Sequence, residues 1–293
     1  MRRKRYIQII WMVLLSFAAV SCSKDDPEPQ VDPTEGLTKI QEFSAPDSPY
    51  TITLYNETGR LQLGYTKVYF AVTDGDGNFI DNAALSAFPE MDMGMHKHST
   101  PRSGITKVEG KALYEAYYSF LMYSGQGNGT WYYDIEYTVG DVSHSFEDVV
   151  IQVDNVFRPD GATQRRVIQT VTAIGGSGQR YIVTLVEPLS PKVGTNDITA
   201  YIHEGTNPDY PAVTGFNLIL DPRMPSMENH SSPNNVDLTW DAVNHIYKGI
   251  VNFSMTGYWK LNLILQNGAG ETLYGNPVTD ETEASSLYFE VEF

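Results

Sequence analysis

Trp131-Tyr132-Tyr133-Asp134-Ile135-Glu136-Tyr137-Thr138-Val139 places Trp131, Tyr133, Ile135, Tyr137 and Val139 at every second position. Successive side chains of a strand point to opposite faces, so this spacing predicts a half-buried strand, one face on a core and one in water. The same period runs through Trp259, Leu261, Leu263 and Leu265, and through Val68, Phe70 and Val72. Asp74-Gly-Asp-Gly-Asn78 and Gly175-Gly-Ser-Gly178 punctuate the strands as turns, and no long helical stripe follows the N-terminal leader. Strands of this kind predict antiparallel sheets and an all-β fold.

The chain also repeats itself. Tyr50-Thr-Ile-Thr-Leu54 matches Tyr181-Ile-Val-Thr-Leu185 at an offset of 131 residues, Met95 and His98 match Met227 and His230 at 132, and Gly129-Thr-Trp131 matches Gly257-Tyr-Trp259 at 128. Three separated landmarks at nearly one offset predict a tandem duplication. The first domain is placed at 37–157, a linker at 158–162 and the second domain at 163–293. Each has the length and strand spacing of an immunoglobulin-like antiparallel β-sandwich. Trp131 and Trp259, each inside an alternating strand, are expected to anchor the two cores.

Met1-Arg-Arg-Lys-Arg5, the apolar run from Ile7 to Val20, and Ser21 before Cys22 have the layout of a secretory signal over residues 1–21. Ala19-Val20-Ser21-Cys22 resembles a lipobox, in which Cys22 becomes the lipidated first residue; Ser23-Lys-Asp-Asp26 looks like the export signal of surface lipoproteins in the Bacteroidetes. The resemblance implies an outer-membrane lipoprotein, periplasm-facing or displayed on the surface. Residues 22–36, rich in proline and acid, read as a disordered tether. Cys22 is the only cysteine, which excludes an intrachain disulfide framework and a thiolate metal site. Against 36 Asp and Glu stand 20 Lys and Arg, a net charge of −16; without the four basic residues of the leader it is 16 − 36 = −20. A surface this acidic repels nucleic acid and anionic lipid head groups.

Five of the seven methionines beyond the leader fall in two windows, Met91-Asp-Met93-Gly-Met95-His96-Lys-His98-Ser-Thr-Pro101 and Met224-Pro-Ser-Met227-Glu-Asn-His230-Ser-Ser-Pro233. Thioether sulfur is soft and never protonated, and imidazole is a borderline donor, so a Met/His cluster outside the cytoplasm favours copper, Cu(I) in particular. If residues 91–95 are extended, Met91, Met93 and Met95 form one row of thioethers, and a bend permitted by Gly94 is needed to bring in His98. The expected ligands are Met93, Met95, His96 and His98 with Met91 as an auxiliary, and Met224, Met227 and His230 in the second window. Two or three thioethers with one imidazole make an exchangeable site, suited to buffering copper or passing it between this chain and a partner protein. The competing structural reading is that the methionines fill gaps under a loop and that the shared His-Ser-Ser/Thr-Pro is turn chemistry.

The first half carries Gly64 before a strand, the Met/His window and a Gly-x-Trp ending. The second carries Glu187-Pro-Leu-Ser-Pro-Lys-Val-Gly194-Thr-Asn196, its own window and the same ending. This order is similar to the YtkA-like family of extracytoplasmic domains over most of both halves. The resemblance implies a small β-sandwich encountered beside copper handling and cytochrome oxidase assembly. The duplication, the lipid anchor and the extra His96 and His98 depart from the family pattern.

Asp74-x-Asp76-x-Asn78 opens like a calcium loop, but Phe79 stands where glycine is required and Leu85 where the terminal glutamate belongs, which leaves a hairpin turn. No nucleophile elbow, His-Glu-x-x-His or phosphate-cradling loop is present, and the chain reads as a non-enzyme. The alternative function is a surface module that binds a glycan or protein through tyrosines such as Tyr114, Tyr117, Tyr118, Tyr132 and Tyr133. That reading requires a flat exposed aromatic row, whereas copper requires Met and His gathered at one end of a sandwich.

Overall fold

The structure is a computed structural model that describes residues 32–125, 127–175 and 178–293. The leader, Cys22 and most of the tether lie outside the described residues. Residues 34–293 form one compact unit.

Its first half runs β1 (Thr38–Phe43), β2 (Thr51–Asn56), β3 (Leu61–Gln62), β4 (Gly64–Thr73), β5 (Ala84–Asp92), β6 (Lys97–His98), β7 (Thr106–Lys107), β8 (Tyr114–Phe120), β9 (Thr130–Val139), β10 (Val142–Ile151) and β11 (Val153–Asp154). The second runs β12 (Ile168–Thr172), β13 (Arg180–Glu187), β14 (Gly194–Glu204), β15 (Asn217–Met224), β16 (His230–Ser231), β17 (Val236–Asp241), β18 (Ile246–Phe253), β19 (Tyr258–Gln266), β20 (Thr272–Tyr274) and β21 (Leu287–Glu292). One sheet of the first half is ordered β1-β2-β4-β8-β7 and the other β10-β9-β5-β6. The second half repeats both orders as β12-β13-β14-β18-β17 and β21-β19-β15-β16. With β2 or β13 counted as strand A, each half reads A-B-E-D against G-F-C-C′, the immunoglobulin-like order, with one extra strand ahead of A. In the second half β17 also pairs with the start of β15, so its two layers merge along that edge.

The alternation is realised residue for residue: in β9 Trp131, Tyr133, Ile135, Tyr137 and Val139 are all buried, while Asp134, Glu136 and Thr138 are exposed. One hydrophobic cluster draws Ile52, Val68, Phe70 and Phe120 from the first sheet and Met91, Trp131 and Ile135 from the facing one. A second, made of the corresponding strands, centres on Trp259, Phe253, Leu261 and Met224. The two tryptophans use their polar edge identically. Trp131 Nε1 donates to the Met122 carbonyl at 2.9 Å and Trp259 Nε1 to the Met255 carbonyl at 3.1 Å. Both acceptors lie two residues past the end of strand E, after Phe120 and Phe253.

The Gly-x-Trp ending has a packing cause. Gly129 and Gly257 sit at φ +141° and +129°, a region that favours glycine. A Cβ on Gly129 would stand 3.3 Å from the Met91 methyl and one on Gly257 2.7 Å from the Met224 methyl. At Gly257 the glycine makes room for Met224; at Gly129 the nearest neighbour is the Asp92 carbonyl oxygen at 2.5 Å, with the Met91 methyl next.

Aromatic side chains join the halves. Tyr117 of β8 stacks on Tyr201 of β14 with ring centroids 4.3 Å apart and planes at 11°, and Tyr65 of β4 lies 6.0 Å from Tyr201. Beside them His203, 1% exposed, has Nε2 at 3.4 Å from the Tyr117 hydroxyl. Its buried Nδ1 has no partner among the described residues. Burial pushes the His203 imidazole down to about 4. The unfolded chain therefore binds a proton that the folded chain refuses between the ordinary value of about 6.5 and that point, so stability falls as the pH drops through this window, by about 2 kcal/mol at pH 5. Chemical unfolding at pH 7 and pH 5 is expected to show this loss in the wild type and a smaller one in His203→Gln. Equal losses in the two proteins would remove His203 as the cause.

Candidate functional site

Both Met/His windows are C–C′ hairpins at equivalent places in the two halves. In the first, β5 pairs with β6 through Met91↔His98 and Asp92↔Lys97. The Met93 amide then donates to the His96 carbonyl at 3.0 Å, which extends the ladder by one pair. The chain reverses through Gly94 and Met95. Gly94 has φ +84°, as a two-residue hairpin turn with glycine at its first central position requires, and its amide donates to Asp92 Oδ1 at 2.6 Å. The turn overrides the extended row expected for Met91, Met93 and Met95, because the strand ends at Asp92 and Met95 lies in the reversal itself.

Residues directly opposed in a ladder share a face, so Met91 and His98 face one way and Asp92 and Lys97 the other, where Lys97 Nζ meets Glu90 at 2.9 Å. Met91 is fully buried against Gly129. His98 is half-buried with its ring edge-on to Trp131 at 5.3 Å. Its Nδ1 is 2.8 Å from the Ser99 carbonyl, and its Nε2 is buried without a partner among the described residues. Met91 and His98, both expected as ligands, are placed in the core and beside it: Met91 is fully buried, and His98 has one nitrogen beside the Ser99 carbonyl and the other buried. What remains accessible is Met93 at 41% exposure, Met95 at 89%, and exposed His96.

The second window is built on the same plan. Met224, the last residue of β15, opposes His230 in β16. Between them Pro225–Met227 forms one turn of 3-10 helix, closed by Glu228 and Asn229 in the left-handed region at φ +51° and +57°. Met224, expected as a ligand, is buried in the core beneath Gly257. Met227 and His230 are exposed. This loop offers one accessible thioether and one imidazole, against two thioethers and one imidazole in the first.

In the first window the His-Ser-Thr-Pro tail is held by structural hydrogen bonds. Ser99 Oγ donates to the Pro89 carbonyl at 2.7 Å, Thr100 Oγ1 donates to the Ser119 carbonyl, and the Ser119 amide returns to the Pro101 carbonyl at 2.8 Å. The tail also reaches the other half, where the Ser99 amide donates to Asn207 Oδ1 at 2.9 Å and Arg102 donates to the Pro208 carbonyl at 3.1 Å. Asp74 closes its own turn by accepting from the Asp76 and Asn78 amides and from Asn78 Nδ2. The tyrosines weighed as a sugar platform are mostly spent on packing: Tyr114, Tyr118 and Tyr133 are buried, and Tyr117 is covered by Tyr201.

Among the described residues no three His, Cys, Asp or Glu side chains gather as a metal-holding group. A metal at the first hairpin would therefore draw on the thioethers, and the donor set Met93, Met95 and His96 fits a soft cation rather than a hard one. The pairing of His98 with Trp131 and of Met91 with Gly129 joins residues more than thirty apart in the chain, which is why the windows alone did not separate inward from outward donors.

No family model matches this chain, and no curated protein matches it. Among solved structures FdeC, an Escherichia coli adhesin, is similar over 76% of this chain and 70% of its own, at 15% identity and a TM-score of 0.23. A score that low carries no argument about fold or function.

Proposed function

We propose that this chain is a lipid-anchored, extracytoplasmic Cu(I)-binding protein that holds the ion at the tip of the first C–C′ hairpin through Met93, Met95 and His96. The observation that carries the reading is the exposure of two thioethers and an imidazole within one four-residue turn. The backbone of that turn is fixed by the Met93–His96 hydrogen bond and by Gly94. A methionine left 89% exposed gains no burial from its position. A soft ligand role gives it a use. The flexible thioethers can close on an ion without moving the ladder. A site open on one side exchanges its ion readily, which suits buffering, or transfer to and from a partner that docks on the hairpin. The YtkA-like order of motifs and the lipobox at Cys22 point to the same setting.

Residues 34–293, titrated with Cu(I) under reductant against a chromogenic chelator, are expected to withdraw one tight equivalent per chain. The Met227–His230 loop, with two accessible donors, is expected to add only a weaker one. Metal left wholly on the chelator at equimolar competitor would end the proposal.

A further inference from the structure

The segment that joins the two halves carries an unusual charge. Arg158, Arg165 and Arg166 fall within nine residues of a chain whose net charge is −16. All three line one open cavity of about 390 Å³, together with Gln164, Tyr288 and Glu290. Glu290 is the only acid on that lining, and it is already spent. Buried at 2% exposure, it accepts from Arg158 Nη2, from the Tyr258 hydroxyl at 2.6 Å and from the Arg166 amide at 2.8 Å. Burial alone would raise the Glu290 carboxyl. The hydrogen bonds from Tyr258, the Arg166 amide and Arg158 outweigh it and hold the group below the usual carboxylate range. Glu290 therefore stays charged and cancels about one of the three guanidinium charges.

The other two have no carboxylate partner. No ion pair to Arg165 or Arg166 occurs among the described residues, and Arg166 lies over the Tyr288 ring at 4.1 Å. Lys260 adds a further cation over the same ring at 4.9 Å. The Nε–H groups of Arg158 and Arg165 are both buried without an acceptor among the described residues. Burial of the Arg165 guanidinium lowers it from its ordinary value, although Glu290 and Glu292 pull the other way. A buried donor without an acceptor carries a desolvation cost, and because water does not reach either Nε–H, an anion in the cavity acts on the rest of each guanidinium and is felt at Nε–H through the shared charge. Guanidinium groups present paired N–H donors that match the two oxygens of a carboxylate or phosphate.

We propose that this cavity binds a small organic oxyanion, a molecule of monosaccharide size whose carboxylate or phosphate group is held by Arg165 and Arg158. The cavity is far larger than a bare ion needs, and its excess of positive charge over Glu290 selects anions against the acidic background of the rest of the chain.

The full chain in detergent micelles, labelled with ¹⁵N at arginine, is titrated at fixed ionic strength with glucuronate, glucose 6-phosphate and glucose. Saturable binding of either anionic sugar, with movement of the Arg165 and Arg158 Nε–H resonances and no response to glucose, is the expected result. Which of the two anions binds tells carboxylate from phosphate. Arg165→Met is expected to weaken binding about ten-fold, the loss of one charge-assisted contact. The wild-type resonances answer the question even if that variant fails to fold. No saturable response to either anion beyond that of chloride overturns the proposal. So does saturation that leaves both Nε–H resonances in place, or an unchanged affinity in a folded Arg165→Met protein.

Discussion

Alanine at both Met93 and His96 is expected to weaken Cu(I) binding by about a hundred-fold or more, since even groups outside the ligand shell of a metal cost ten- to hundred-fold when removed. Neither side chain belongs to the core, so the unfolding free energy of the double variant should stay within about 0.5 kcal/mol of the wild type. Met91→Leu gives the contrast. It keeps volume in a fully buried place beside Gly129 and should leave the metal affinity unchanged. Competition titrations of the three proteins, with a denaturant curve for each, separate the two roles of methionine in one hairpin. Undiminished affinity in a folded Met93→Ala, His96→Ala protein would show that the ion is held elsewhere.

The second large effect is on stability. Gly129→Ala forces a side chain into a conformation at φ +141° and sets its Cβ 2.5 Å from the Asp92 carbonyl oxygen, which belongs to a paired strand and cannot yield cheaply. Backbone strain and overpacking of about 1–3 kcal/mol each give an expected loss of about 4 kcal/mol. Gly257→Ala meets only the flexible Met224 methyl, at 2.7 Å, and is expected to cost about 2 kcal/mol. Native-state hydrogen exchange of the β9 and β19 amides reads each half separately where one global transition would merge them. Equal costs at the two glycines would mean that the Asp92 contact does not distinguish them.

The architecture was legible in the sequence because burial in a sheet has period two, and Trp131, Tyr133, Ile135, Tyr137 and Val139 each mark one inward position. The duplication was legible because Gly-x-Trp is held by two contacts at once, the glycine by a methionine methyl and the indole by a carbonyl past strand E. That pattern also accounts for Met122 and Met255, whose carbonyls serve the two tryptophans and which the windows left out. The direction of each side chain in the windows was not legible. A single glycine at φ +84° decides whether Met95 continues a row or stands in a reversal, and the sequence allows either. His98 became a packing group through Trp131, thirty-three residues away in the chain. The two hairpins also differ by one residue between their opposed Met and His, six intervening positions against five, so an alignment that equates Met95 with Met227 passes over the strand-end pair Met91 and Met224. The His203–Tyr117 contact and the arginine cavity both depend on how residues of one half meet those of the other or of the joining segment, which no local pattern encodes.

The methyl resonances of ¹³C-labelled methionine, followed during addition of the first equivalent of Cu(I), test the copper assignment most directly. Each thioether that binds the ion reports through its own methyl group. The Met93 and Met95 methyls are expected to move together up to one equivalent, while those of Met91, Met122, Met224 and Met255 stay in place. Stationary Met93 and Met95 methyls in the presence of bound metal, or a shift carried by Met91, would contradict a site at the tip of the first hairpin.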